Sequence, residues 1–363
     1  MNELVASTGG IISVSQVAAD AYDSRKGILA ERVNQALLAR NDLASLIGGN
    51  DSIELMFENH RNHVLFMTAV FHLNAFRLLA SGIPWVYKTY SQHGFSFAYF
   101  PVALAAWKQA IAQELPAEIA AEIIPVYDWV IARHEKMVAL VSQISGKSSD
   151  MDNKARIFLD NLLHMDLSAA IEQGERNIRA RKDLSLFYRD TVQPAMYEVG
   201  ARWASGEISV AEEHMASALA QTVVAHMQVK TPAAMARRGK ALITAATNEQ
   251  HELGARMTAH VFESDGWEIT FLGANMPLAD LTHMARKLLP RFIGISIAMP
   301  YHLHHARRII DALKNDSELN QIKILAGGLV FANFPEAADY LPGAEVVSDL
   351  EAAVLVARKW ADE

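Results

Sequence analysis

Residues 241–254 read Ala241-Leu242-Ile243-Thr244-Ala245-Ala246-Thr247-Asn248-Glu249-Gln250-His251-Glu252-Leu253-Gly254. An apolar run gives way to a polar loop with one histidine, and a helical pattern over 252–264 follows. That is the signature of a buried strand feeding a helix. Two later pieces stand in the same kind of place. Ser296-Ile297-Ala298 ends the apolar run 292–298, and Gly327-Gly328 follows the run 323–326. Ser296 lies 45 residues after His251, and Gly327 a further 31. In an open α/β sheet, ligands bind beyond the carboxyl ends of the strands. A loop histidine, a strand-end hydroxyl and a glycine pair together describe a slot for one large flat cofactor.

Working outward, five short apolar runs (241–246, 268–272, 292–298, 323–326 and 345–347) alternate with helical patterns. This predicts a doubly wound parallel sheet over residues 237–363. Residues 151–236 are helical, divided by Gly174, Pro194 and Gly206 into about four helices, a bundle ahead of the sheet. The stretch Ser145-Gly146-Lys147-Ser148-Ser149-Asp150 is small and polar, and reads as a linker. Residues 1–150 are also helical. Leu55, Phe66, Val70, Leu73 and Leu78 carry one helix over 51–79, which Gly82-Ile83-Pro84 should end. Helices are expected again over 100–114 and 116–144. The chain is therefore a multidomain α and α/β protein.

Composition narrows the function. A net charge of −8 argues against a nucleic-acid surface, and the first 150 residues, with 11 basic and 14 acidic side chains, have no basic patch. The absence of cysteine excludes disulfides, thiolate metal sites and thioether-linked chromophores. The most apolar stretch, 64–87, contains His72, Asn74 and Arg77, so it is not a membrane span. No signal peptide is evident, and a cytoplasmic location is expected.

The set Glu249-x-His251-x-x-Gly254, Ser296-x-Ala298 and Gly327-Gly328 resembles the cobalamin-binding domain shared by methionine synthase, corrinoid methyl carriers and light-sensing cobalamin proteins. The pattern there is Asp-x-His-x-x-Gly, Ser-x-Leu, Gly-Gly. The resemblance implies that His251 ligates cobalt from below and displaces the nucleotide tail. Glu249 would hold the other ring nitrogen. Gln250, Glu252, Leu253 and Gly254 would flank the ligand, and Ser296 would donate to the displaced base. Ala298, Gly327 and Gly328 would leave that base room against the sheet. Glu249 replaces the family's Asp, and Ala298 replaces a larger apolar residue.

The bundle carries Val199-Gly200-Ala201-Arg202-Trp203-Ala204, then Val210-Ala211-Glu212-Glu213-His214. This is similar to the cap of the CarH-like adenosylcobalamin photoreceptors. The resemblance implies that Trp203 covers the adenosyl group, Glu213 accepts hydrogen bonds from its ribose, and Val210 and His214 face the same pocket. Those photoreceptors carry a His directly after the Trp, where this chain has Ala204. An upper ligand after photolysis would then come from His214, His164 or water.

The run 85–101 is too polar for a plain core and too aromatic for a plain surface. It looks similar to the extra helical, globin-like domain of photocobilins, which binds biliverdin. The implied contacts are Trp85, Tyr90, Phe97 and Tyr99 for the rings, with Arg61, Arg77, Lys88 and His93 for the propionates. Without cysteine the pigment would be non-covalent. Heme on His60, His63, His72 or His93 is the alternative. The cluster Tyr301-His302-Leu303-His304-His305 puts His302 and His305 on one helix face. It lacks an evident third metal ligand.

These readings converge on an adenosylcobalamin photosensor rather than an enzyme. Light would change its conformation or its assembly as a homo-oligomer, or its association with an effector protein. Biliverdin would be a second chromophore, and neither nucleic acid nor membrane a partner. The competing expectation is a corrinoid carrier subunit of a methyltransferase system.

Overall fold

The computed structural model describes residues 1–143, 151–231, 234–235 and 237–362. The chain divides into two compact units, Met1–Gly146 and Lys147–Glu363. The expected linker at 145–150 lies outside the described residues. Among the described residues, no helix is long and apolar enough to cross a membrane.

The first unit is helical: α1 (Asn2–Ala6), α2 (Gln16–Leu38), α3 (Leu43–Ile47), α4 (Ile53–Leu73), α5 (Phe76–Gln92), α6 (Tyr99–Glu114), α7 (Ala117–Ile131) and α8 (His134–Val141). Three features differ from the sequence reading. The periodicity runs on through residue 74, yet Asn74 adopts a left-handed conformation (φ 50) and ends α4. Its side chain explains the break, because it accepts from the Val14 amide (2.7 Å) and donates to the Val14 carbonyl (3.1 Å). Pro84, expected to end a helix, lies inside α5. It forfeits one backbone hydrogen bond, but Leu79, Ile83, Tyr87 and Tyr90 keep one buried face on both sides of it. The expected helix over 116–144 is likewise two helices, α7 and α8.

A polar network crosses the apolar centre of this unit. His60 Nδ1 meets Asn34 Oδ1 (2.5 Å), and its Nε2 meets the Tyr99 hydroxyl (2.8 Å). His63 Nε2 meets the Tyr127 hydroxyl (3.2 Å), which also bonds that of Tyr22 (2.8 Å). Burial pushes both histidines down to about 3. Their neutral forms are thus favoured by the fold, and the unfolded chain takes up protons first as pH falls. Stability is complete above the ordinary histidine range and drains away toward pH 3, by about 1.4 kcal/mol per pH unit for each group. His60→Asn is therefore expected to be less stable than the parent at pH 7, with the gap narrowing by about that amount per unit between pH 6 and 4. Native-state hydrogen exchange of α4 amides measures it, and a gap independent of pH would contradict the assignment.

The second unit opens with four helical rods. These are α9 (Asn153–Leu163), α10 (Leu167–Asn177), a rod of α11 (Lys182–Phe187) and α12 (Gln193–Ala204) joined by a π turn over Tyr188–Val192, and α13 (Val210–Lys230). A capping box starts α13: Ser209 Oγ accepts from the Glu212 amide (3.2 Å), and the Glu212 carboxylate accepts from the Ser209 amide (2.7 Å). Gly174 does not break the bundle as expected. It sits inside α10, where an added Cβ would lie 2.8 Å from Met227 Sδ, so it serves close packing against α13.

The sheet follows: β1 (Lys240–Ala245), α14 (Leu253–Ser264), β2 (Glu268–Gly273), α15 (Leu278–Leu288), β3 (Phe292–Ser296), α16 (Leu303–Asn315), β4 (Lys323–Gly327), α17 (Leu329–Asn333), β5 (Glu345–Val346) and α18 (Leu350–Asp362). All pairings are parallel, in the order β2-β1-β3-β4-β5. This is the doubly wound sheet the sequence predicts, and its order reverses between β1 and β3. Ala245, Ser296 and Gly327 stand side by side in register at the carboxyl ends of β1, β3 and β4. One apolar core joins bundle and sheet layer, since Met257 and Val261 of α14 pack with Ala216, Ala220 and Val224 of α13. The buried Tyr188 hydroxyl adds a 2.6 Å bond to His260 Nδ1 on α14.

Candidate functional site

The loop after β1 brings Glu249 back under the end of β3. Its side chain is fully buried, with every carboxylate contact coming from a donor. Oε2 accepts from the amides of Ala298 (2.8 Å) and Met299 (3.1 Å); Oε1 accepts from the His251 amide (3.1 Å) and Nδ1 (2.5 Å). Burial alone would raise this carboxyl, but the His251 bonds and the nearby imidazoles hold it at about 2. His251 is raised above its ordinary value, first by the hydrogen bond to Glu249 and against burial, then by the charges of Glu249 and Glu213. A carboxylate only accepts, so Nδ1 carries a hydrogen, and the neutral ring presents the lone pair of Nε2. The ring is 61% exposed. With its tautomer fixed from behind, the ring could hold a metal through Nε2.

Around it, Gln250 is exposed and Leu253 half-buried at the start of α14. Glu252 is turned away, accepting from Arg256 (2.9 Å) and the Ala274 amide (3.2 Å). Gly254 is exposed, and a Cβ there would meet nothing within 4 Å. Gly328 has a reason within the protein itself: at φ +125, its Cβ would stand 2.2 Å from the Ile297 carbonyl oxygen. At Gly327 the nearest atom would be Val347 Cγ2, at 3.4 Å. Ser296 and Ala298 are half-buried on the floor between these loops. An outward imidazole, open space at Gly254 and a glycine-lined floor fit a planar cofactor held through Nε2.

The bundle faces this loop through α13. Glu213 is 28% exposed, accepts from Ser217 Oγ (2.9 Å) and pairs with His214 Nδ1 (2.5 Å); its charge reaches His251. Trp203, near the end of α12, and Ala204 are half-buried, while Val210 and His214 are exposed. His164 is exposed at the end of α9, with Nδ1 on the Asp160 carbonyl (2.8 Å).

His302 belongs to the site more closely than its sequence suggests. It is 6% exposed, its Nδ1 has no partner among the described residues, and the charges of Glu249 and His251 both act on it. The legible signal was its position in the loop after β3; its nearness to Glu249 depends on the strand order. Rings of Tyr301 and His305 lie 4.4 and 6.2 Å away. Among the described residues, no group of three or more His, Asp or Glu is placed to hold a metal ion.

The proposed pigment contacts of the first unit divide between its aromatic core and its surface. Tyr99 is fully buried, with its ring 5.0 Å from Phe95 and its hydroxyl on His60 and Asn59. Tyr90 is buried against Phe95 (5.3 Å), and Phe97 leans on Tyr87 (6.4 Å). His93 is half-buried after α5, and Arg61 is exposed on α4. Arg77, Trp85 and Lys88 lie on the outer side of α5, with Trp85 42% exposed. His60 and His63, offered as heme ligands, are occupied by the network described above.

Comparison with known proteins agrees with the slot. Residues 239–356 match a B12 binding domain, and residues 155–228 match a second B12 binding domain model. The chain is 29% identical over 109 residues to the HTH-type transcriptional repressor CarH of Myxococcus xanthus, covering 30% of this chain and 36% of that protein. It is 25% identical over 135 residues to dimethylamine corrinoid protein 2 of Methanosarcina mazei, covering 37% and 63%. The chain thus spans about a third of the first relative's length and under two thirds of the second's. A solved monomethylamine corrinoid protein of Methanosarcina barkeri aligns at 16% identity and a TM-score of 0.46, over 56% of this chain and 95% of that one. The second unit is a cobalamin-binding unit, with both its bundle and its sheet matched.

Proposed function

We propose that this chain is an adenosylcobalamin-dependent photosensor, held through His251 from the sheet side and read from the bundle side by Trp203 and Glu213. What supports the reading is Glu213, half-buried at the start of α13 and near enough for its charge to act on His251. The identity to CarH supports it. When bound, adenosylcobalamin supplies a light-labile cobalt–carbon bond; the protein's part is binding and gating. Trp203 shields the upper ligand from water, and Glu213 accepts hydrogen bonds from its hydroxyls. Trp203 and Glu213 would hold the bundle against that group, so the bundle would loosen where the group is missing. The output is light-dependent association between copies or with an effector protein, in the cytoplasm and without catalysis.

The match to dimethylamine corrinoid proteins favours a second reading, a corrinoid carrier serving a methyltransferase. Titration in the dark and without oxygen separates the two. Trp203→Ala and Glu213→Ala are expected to weaken adenosylcobalamin about ten- to a hundred-fold, from the loss of about 1–3 kcal/mol each, and to leave hydroxocobalamin unchanged. Illumination should change the parent's spectrum irreversibly. Equal losses for both cobalamins, with no light response, would favour the carrier.

The proposal includes non-covalent biliverdin in the first unit, now on the outer side of α5 with Trp85, Arg77 and Lys88, since Tyr90 and Tyr99 are closed onto their neighbours. A far-red band on supplying biliverdin tests it; a sharp Soret band would mean heme, and neither band would remove the second chromophore.

A further inference from the structure

The loop that carries His251 is held on both sides by a second loop, between β2 and α15. The Thr247 hydroxyl donates to the Met276 carbonyl (2.7 Å), and the Asn248 amide donates to Asn275 Oδ1 (2.9 Å). The Asn275 amide donates to the Glu249 carbonyl (2.9 Å), and Glu252 accepts from the Ala274 amide (3.2 Å). Residues 247, 248, 249 and 252 are thus each tied to residues 274–276, while Gln250 and His251 stand exposed between the ties. From the other flank, Asn248 Nδ2 meets His305 Nε2 (2.9 Å).

Asn275 is the centre of this clamp. It is the residue bonded to the His251 loop through both backbone and side chain. It is exposed, so its hold on the loop comes from these hydrogen bonds and not from core packing. Its backbone is left-handed (φ 50), as is that of Asn248 (φ 66). Such backbone costs free energy for residues with a Cβ and recurs at ligand sites; asparagine tolerates it best.

Building on the cobalamin reading above, we propose that Asn275 is a positioning residue, which fixes the height and aim of His251 so that cobalt takes the histidine instead of the cofactor's own base. A clamped loop holds the ligand in place before the cofactor arrives, and binding is spared the cost of ordering it. Released from Asn275, the loop keeps its histidine but not its aim.

The test uses the full chain and hydroxocobalamin. Asn275→Gly keeps the left-handed backbone and deletes Oδ1; Asn275→Asp keeps the acceptor for the Asn248 amide. Thr247→Val removes the neighbouring tie and serves as a second variant should the glycine form fold poorly. Asn275→Gly is expected to unfold close to the parent's midpoint, yet to bind about ten-fold more weakly, roughly 1.4 kcal/mol, with the histidine-ligated spectrum reduced. Thr247→Val should move the same way, and Asn275→Asp should return to within about three-fold of the parent. In the cofactor-free protein, amides 248–251 should exchange faster in Asn275→Gly. A parental spectrum and affinity in Asn275→Gly would overturn the proposal, and so would equal losses in the glycine and aspartate forms. If the parent itself shows no histidine-ligated spectrum, differing in nothing from His251→Ala, the slot reading falls and the proposal with it. That outcome is visible in the parent alone, so the two failures are distinguishable.

Discussion

Glu249→Gln is expected to leave a folded protein that keeps His251 and no longer ligates through it. The carboxylate offers acceptors on both oxygens, two amides on one and the His251 amide and Nδ1 on the other. Glutamine has one acceptor and one donor. If its oxygen stays with the Ala298 and Met299 amides, its NH2 group faces His251. The ring must then accept at Nδ1, which moves the hydrogen to Nε2 and removes the lone pair that would meet cobalt. Turned the other way, two buried amides face a donor. Either arrangement leaves a buried group unpaired and costs about 1–3 kcal/mol. Loss of the charge removes a further contribution. A carboxyl held at about 2 favours the fold above the ordinary carboxylate range, and this advantage disappears as pH falls toward 2. Glu249→Ala should cost more, about 3–5 kcal/mol, since four donors lose their acceptor at once. His251→Ala should weaken cobalamin and leave the base of the cofactor as its ligand, while retaining the Glu249–Ala298 and Glu249–Met299 bonds. Urea denaturation and the visible spectrum of bound cobalamin separate the three variants. A histidine-ligated spectrum in Glu249→Gln would show that the carboxylate does not set the tautomer.

The sheet was legible because its strands are short apolar runs closed by turn residues and alternating with helical patterns, although only β1, β3 and β4 are mostly buried. The meeting of the motif pieces at one edge followed from the fold class, since ligands bind beyond the carboxyl ends of the strands in such a sheet. The Glu249–His251 pair was legible too, being local in sequence. What faces Glu249 from behind was not. The amides of Ala298 and Met299 and the ring of His302 reach it only because β1 and β3 are neighbours, a fact of strand order that no local pattern carries. Asn275 stayed hidden for a related reason: it acts from a third loop, through backbone as much as side chain. In the first unit the misreadings were of breakers. Pro84 is overridden by a continuous buried face, whereas Asn74, with no breaker signal before it, ends a helix because its side chain accepts from the Val14 amide and donates to the Val14 carbonyl. The aromatic run 85–101 supplies mostly core, with Tyr87 stacked on Phe100 at 3.7 Å, and leaves Trp85 on the outside.

Gly328→Ala and Gly254→Ala should move stability in opposite directions, although both glycines carry the slot's sequence pattern. At Gly328 (φ 125, ψ 176) the backbone lies in a region that residues with a Cβ rarely enter, at a cost of about 1–3 kcal/mol. The added methyl would also stand 2.2 Å from the Ile297 carbonyl oxygen and 2.9 Å from its amide nitrogen. Neither can yield cheaply. The Ile297 amide is bonded to the Gly327 carbonyl (2.8 Å), and the Ile297 carbonyl accepts from Val330. The alanine must therefore push the β3 and β4 ends apart, where Ser296 and Gly327 pair, and a loss above about 4 kcal/mol is expected, in the range of the most damaging single substitutions. Gly254 lies within α14 with open space around its Cβ position. Alanine is the better helix former there by about 0.5–1 kcal/mol, so the cofactor-free protein should gain stability. Cobalamin should nonetheless bind Gly254→Ala more weakly, because that space adjoins the His251 loop. Thermal unfolding with and without cobalamin reads both effects. A Gly254→Ala protein that gains stability and binds cobalamin like the parent would remove this glycine from the site, and a mild Gly328→Ala would mean that the β3 and β4 ends can separate without cost.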